Sequence, residues 1–164
     1  MEIKKAQRSR RKLRLLISGA SGSGKTLTSL LIAKAFGDKT CVIDTEAEKS
    51  ALYAGRVEAG GKAYDFDFDI IPLTDLTPTG YTMAIKMVVD AGYDTVIIDS
   101  LSHEWQSVLK LVDQLKGVEK HKMAPWKTAS PLHDDFITAI VTCPLHVVAT
   151  MRVKTEWDLS GGKP

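Results

Sequence analysis

Gly19-Ala20-Ser21-Gly22-Ser23-Gly24-Lys25-Thr26 sets three glycines, a lysine and a hydroxyl at the spacing by which a backbone wraps phosphate groups. The glycines let the chain curl so that its N–H groups face phosphate oxygens. The Lys25 ammonium adds a full charge at the β- and γ-phosphates, and the Thr26 hydroxyl suits Mg²⁺. Leu27 carries the nucleotide-facing segment into a helical stretch, whose positive end favours an anion. The implied chemistry is binding of a nucleoside triphosphate, with ATP and Mg²⁺ expected.

The second half of such a site is an acidic residue ending an apolar strand beside the P-loop strand. Asp99, after Val96-Ile97-Ile98, fits, and would hold the hydration shell of Mg²⁺ together with Thr26. Hydrolysis also needs a group that orients or deprotonates water. Ser100 occupies the place after Asp99, so the base must come from elsewhere. Glu46, in Val42-Ile43-Asp44-Thr45-Glu46, is expected to serve, because ligands gather at the carboxyl ends of parallel strands. Glu104 is the alternative base, and Asp44 a supporting partner. The catalytic set is then Lys25, Glu46 and Asp99. His103, His121, His133 and His146 show no metal-ligand spacing, which argues against zinc. His103 stands close enough to Asp99 to support it, or simply starts a helix.

These residues need elements to position them. Leu13 to Ser18 reads as a buried strand and Thr26 to Phe36 as a helix stopped by Gly37. Thr40 to Asp44 is a second strand. Tyr64 to Leu73 reads as a third, with Asp65, Asp67 and Asp69 alternating against Phe66, Phe68 and Ile70, as near a sheet edge. Thr77-Pro78 opens a helix to about Ala91. Thr95 to Ile98 is a central strand, Glu104 to Lys116 a helix, and Gly117 to Ala129 a polar loop. Ser130-Pro131 starts a helix to about Thr142, and Leu145 to Thr150 is the fifth strand. The alternation predicts an α/β parallel sheet with helices on both faces.

At 164 residues, with 44% hydrophobic and 26% charged residues, the chain fits one globular domain. Residues 1–12 read as a basic lead-in and 13–164 as the core. Strand-like residues from Arg152 to Leu159 and the Ser160-Gly161-Gly162 turn signal suggest that further C-terminal strands belong to the fold. A net charge of +2 leaves any nucleic-acid contact to local patches. No stretch approaches the roughly 20 apolar residues of a membrane span. Cys41 and Cys143, in apolar surroundings, read as buried free thiols of a reducing cytoplasm.

The P-loop, Val42 to Glu46, Val96 to Ser100 and Val147 to Lys154 resemble, in the same order, the ATPase core of RecA-type recombinases. Asp99-Ser100-Leu101-Ser102-His103-Glu104-Trp105 and Ala149 to Glu156 are similar to the phage-encoded AAA-family nucleotide-binding proteins associated with single-strand annealing. The resemblance implies a five-stranded RecA-like core with the P-loop strand beside the Asp99 strand, a glutamate base at Glu46, and a place in the host cytoplasm. It also implies a homo-oligomer on single-stranded DNA, with a single-strand binding protein as a further partner. Thr150 stands where recombinases place a γ-phosphate-sensing Gln, and is counted with the nucleotide contacts.

Single-strand binders combine cationic grooves with aromatic faces. Lys120, Lys122 and Trp126 offer that mixture, as do Arg152, Lys154 and Trp157; solvated loops with buried tryptophans are the plainer reading. Arg152 or Lys154 could instead complete a neighbour's ATP site. Lys4, Lys5, Arg8, Arg10, Arg11, Lys12 and Arg14 form a third basic group, for DNA, docking or solubility. The rival functions are a small-molecule or nucleotide kinase and an ATP-binding switch or loader with little turnover. Against the kinase, Arg56 is the only arginine between Lys25 and Arg152 to build a lid.

Overall fold

The computed structural model describes Lys5 and residues 11–37, 39–116 and 124–153. In chain order these form β1 (Arg14–Gly19), α1 (Lys25–Ala33), β2 (Thr40–Asp44), a 3₁₀ turn (Lys49–Tyr53), β3 (Gly55–Ala59) and β4 (Lys62–Phe66). There follow β5 (Asp69–Pro72), α2 (Pro78–Asp90), β6 (Thr95–Asp99), α3 (Ser102–Lys116), α4 (Ala124–Thr142) and β7 (His146–Arg152). Five strands make one parallel sheet in the order β1-β7-β6-β2-β5, and β3 and β4 form a separate hairpin.

β2 and β6 are buried at every position, as suits their largely apolar runs in a parallel sheet covered on both faces. Successive side chains point to opposite faces. Val42, Ile97 and Val148 meet Leu30 and Ala33 of α1 on one face. Ile43, Val96, Ile98, Val147 and Ala149 meet Tyr81, Ile85 and Val88 of α2 and Phe136 of α4 on the other. Full burial of each such aliphatic side chain is worth about 1.5–3 kcal/mol, so the two clusters hold the sheet between its helices. α3 packs outside α4 through Val108, Val112 and Ala129, with Trp126 against them. No helix among the described residues is long and apolar enough to cross a membrane. Both cysteines are buried and free.

Three expectations need correction. The Tyr64–Leu73 strand is two strands in different sheets. Lys62–Phe66 pairs back on Gly55–Ala59 around Gly60 and Gly61, both in the left-handed region, while Asp69–Pro72 joins β2 as the sheet's edge. Alternation is the same whichever partner a strand finds, so periodicity merged them. The helix expected to start at Ser130-Pro131 instead begins at Ala124 and runs through Pro131. Packing of Ala129 and Trp126 against α3 outweighs the local cap signal. Finally, the P-loop strand β1 does not adjoin the Asp99 strand: β7 lies between them, paired on both sides. That insertion brings Thr150 beside Asp99 and Arg152 opposite Gly19.

Lys4, Arg8 and Arg10 of the basic lead-in, Lys120, His121, Lys122, Lys154 and Trp157, and the turn at Ser160 to Gly162, lie outside the described residues. Arg14 has a structural task. Its guanidinium donates to the carbonyls of Leu145 (2.7 Å), Val141 (3.3 Å) and Cys143, where α4 leaves carbonyls unpaired.

Candidate functional site

Between β1 and α1 the chain turns through Gly22 and Gly24 at φ 77° and 81°, which side-chain-bearing residues rarely adopt. A Cβ on Gly19 would lie 2.7 Å from Ser23 Oγ, so a side chain there would displace the Ser23 hydroxyl. Gly24 caps α1 without any side-chain acceptor, and the first turn holds no acidic residue. The leading amides of α1, those of Lys25, Thr26 and Leu27, therefore present donors and positive dipole to the cleft in front of them. Such a helix start suits an anion. Lys25 Nζ folds over the loop to Ala20 O at 2.7 Å.

The cleft has a volume of about 220 Å³ and is lined by Ser21, Gly22, Lys25, Thr26, Glu46, Asp99 and Arg152, with Lys49, Leu52 and Tyr53 along one wall. Although a strand separates them, Thr26 Oγ1 reaches Asp99 Oδ2 at 2.5 Å, and Thr150 Oγ1 donates to Asp99 Oδ1 at 2.5 Å. Asp99 is thus aimed by two threonines, one from the phosphate loop and one from the intervening strand. A hydroxyl and a carboxylate meeting beside a phosphate cradle match Mg²⁺, which takes few protein ligands and completes its shell with phosphate and water. Among the described residues no three His, Cys, Asp or Glu side chains cluster as an all-protein metal cage.

Glu46 reaches the cleft because Asp44 holds its loop. Buried Asp44 accepts the Glu46 amide at 2.7 Å and the Ser50 amide at 2.9 Å, and also the Ser50 hydroxyl. Ala47 and Glu48 follow at φ 58°, a costly conformation for non-glycine residues. The Glu46 carboxylate pairs with Arg152, and Lys49 Nζ stands at 3.7 Å. Thr45 ties β2 to β6: its amide and hydroxyl donate to Asp99 O at 2.9 and 3.1 Å, and its hydroxyl accepts from Ser100 N at 2.9 Å. His103 Nδ1 lies 2.8 Å from that hydroxyl, so it supports the Asp99 corner through Thr45. Tyr81, fully buried, donates to Ser100 O at 2.7 Å, and burial pushes its phenol well up.

Glu104 lies elsewhere. It is buried under α4, with Oε1 at 2.9 Å from His133 Nδ1, and does not line the cleft. Burial raises its carboxyl above the usual range, opposed by the His133 contact. Trp126 sits on α4 with its ring centroid 6.3 Å from that of Trp105. Residues missed in the sequence are Thr45, Ser50, Lys49 and Tyr53, all on the segment after β2. Asp44 and Ser50 there carried a readable turn signal, since such side chains bond amides a few residues on. The arrival of Arg152 at this cleft follows from the β1–β7 register, which has no local signature.

A family model described as an AAA domain matches residues 11–163. No curated protein matches the chain.

Proposed function

The chain belongs to the AAA domain family, a family of P-loop ATPases, and from that premise we propose that it binds ATP with Mg²⁺ and hydrolyses the terminal phosphate. The observation that carries this reading is one cleft holding the uncapped start of α1, Lys25, the Thr26–Asp99 pair and Glu46. The α1 amides and Lys25 bind and orient the β- and γ-phosphates. Thr26 and Asp99 would hold Mg²⁺, which would supply charge neutralisation at the triphosphate. Glu46 accepts a proton from, or orients, the attacking water. Thr150 keeps Asp99 in register. The hydrolysis energy, in this proposal, drives a homo-oligomer that assists annealing or recombination of single-stranded DNA. Support for that last step is the likeness to phage single-strand annealing ATPases, together with the basic segment around Lys120 and Lys122, Lys154, and Trp126.

Ligand at 100 times its dissociation constant stabilises a fold by about 2.7 kcal/mol. ATP–Mg²⁺ should raise the melting temperature accordingly, and Lys25→Ala should abolish the rise; an equal rise in the variant refutes the site. For the DNA step, single-strand affinity should fall steeply with salt. Absence of any salt-sensitive binding, with and without ATP, refutes that part alone.

A further inference from the structure

Thr45 is the first residue beyond β2, where the pairing of β2 with β6 ends at Asp44 and Asp99. It prolongs that pairing with its side chain. Its amide donates to Asp99 O at 2.9 Å, and its hydroxyl donates to the same oxygen at 3.1 Å and accepts from Ser100 N at 2.9 Å. His103 Nδ1, at 2.8 Å, stands at the remaining lone pair. A hydroxyl has one proton and two lone pairs, so this one is fully used. From α2, Tyr81 donates to Ser100 O at 2.7 Å. Tyr81 and Ser100 are both fully buried, so solvent does not compete for these bonds.

Resting on the reading of this cleft as an ATP–Mg²⁺ site, we propose that Thr45 is a positioning residue that sets the spacing between Asp99 and Glu46, with Tyr81 as the second support of the Asp99 corner. Thr26 and Thr150 touch the Asp99 carboxylate itself, whereas Thr45 and Tyr81 hold the main chain that carries it. Mg²⁺ demands near-ideal octahedral geometry from the one or two carboxylates it uses, so a shift of that main chain is felt at the metal position. Thr45 is also the chain neighbour of Glu46. One hydroxyl therefore ties the residue that would hold Mg²⁺ to the residue that would serve the water, across two strands.

The test reads metal and nucleotide separately. Thr45→Val keeps the shape and removes the hydroxyl. The Mg²⁺ needed for half of the rise in melting temperature with a non-hydrolysable ATP analogue should go up about 10- to 100-fold, the range for loss of a group that orients a metal ligand. Binding of the analogue in EDTA should be unchanged, since the α1 amides and Lys25 are undisturbed. Turnover should stay below wild type even at saturating Mg²⁺, because Glu46 moves with Thr45. Thr45→Ser, which returns the hydroxyl, should recover most of both losses. Tyr81→Phe loses one hydrogen bond and no packing, and should raise the Mg²⁺ requirement in the same direction by less. The proposal is overturned if Thr45→Val, or Tyr81→Phe where the first does not fold, keeps the wild-type Mg²⁺ requirement. It is also overturned if binding in EDTA falls as much as binding with Mg²⁺, since the hydroxyl would then serve only the fold. A wild-type protein that gains no stability from nucleotide and Mg²⁺ would instead bring down the reading of the cleft itself.

Discussion

Glu46 and Glu104 are the same side chain, each placed shortly after a central strand, in opposite settings. Glu46 follows β2 on a strained loop that opens into the cleft in front of α1, 15% exposed and facing two cations. Glu104 sits in the first turn of α3 after β6, 2% exposed, and faces one histidine of α4. The first is held where a substrate can reach it by contacts that do little for the core. The second is out of reach and joins two helices. A carboxylate at the right end of a sheet becomes a candidate base only when its loop turns it into the cleft with Lys25, Thr26 and Asp99, and here Asp44 and the left-handed Ala47 and Glu48 do that turning.

The most direct way to break this contrast is turnover. A general base contributes about 10²–10⁴-fold, so Glu46→Gln should lower ATP turnover by that factor, measured by phosphate release. Glu104→Gln should leave turnover of the folded protein near wild type; the reverse pattern would exchange the two roles. Stability should show the opposite order. Glu104→Ala strips His133 of its partner and leaves a void under α4, at a cost of about 1–3 kcal/mol in denaturant unfolding. Glu46→Ala, removing a partly exposed ion pair, should cost about 1 kcal/mol or less.

The smallest effect is in pH. Burial raises the Glu104 carboxyl in the folded state above its unfolded value, against the contact with His133, while Tyr81 faces it from α2. The fold then favours the protonated form. Its contribution is complete below the ordinary carboxylate range and is lost as pH rises through the raised folded-state value. The stability difference between wild type and Glu104→Gln should therefore shift against wild type with rising pH in that window. A difference that is flat, or that moves in favour of wild type, would mean that the His133 contact dominates burial.

What was legible in the chain was local. Gly19 to Thr26 announces its loop, Val96-Ile97-Ile98-Asp99 its buried strand, and Thr77-Pro78 a real helix start, with the Thr77 hydroxyl accepting Gly80 N at 3.2 Å. Each depends on residues a few positions apart. The parts that escaped depend on distant partners. Phe66 and Ile70 alternate alike, yet one belongs to a hairpin and the other to the main sheet. Asp99 was expected next to the P-loop strand, but β7 intervenes and Thr150 fills the gap. Arg152 carries a charge that suits DNA, a neighbouring site or this one equally well, and only the parallel register brings it to Glu46. Glu104 reads from sequence as an alternative base or a solvated first-turn residue, because nothing local tells that α4 will cover it.

The unfinished front of α1 has a consequence for handling the protein. α2 closes its own first turn with Thr77, whereas α1 has no side-chain acceptor at its front. Its resistance to heat should therefore depend on the buffer: pyrophosphate or sulfate should protect this molecule more than chloride at equal ionic strength.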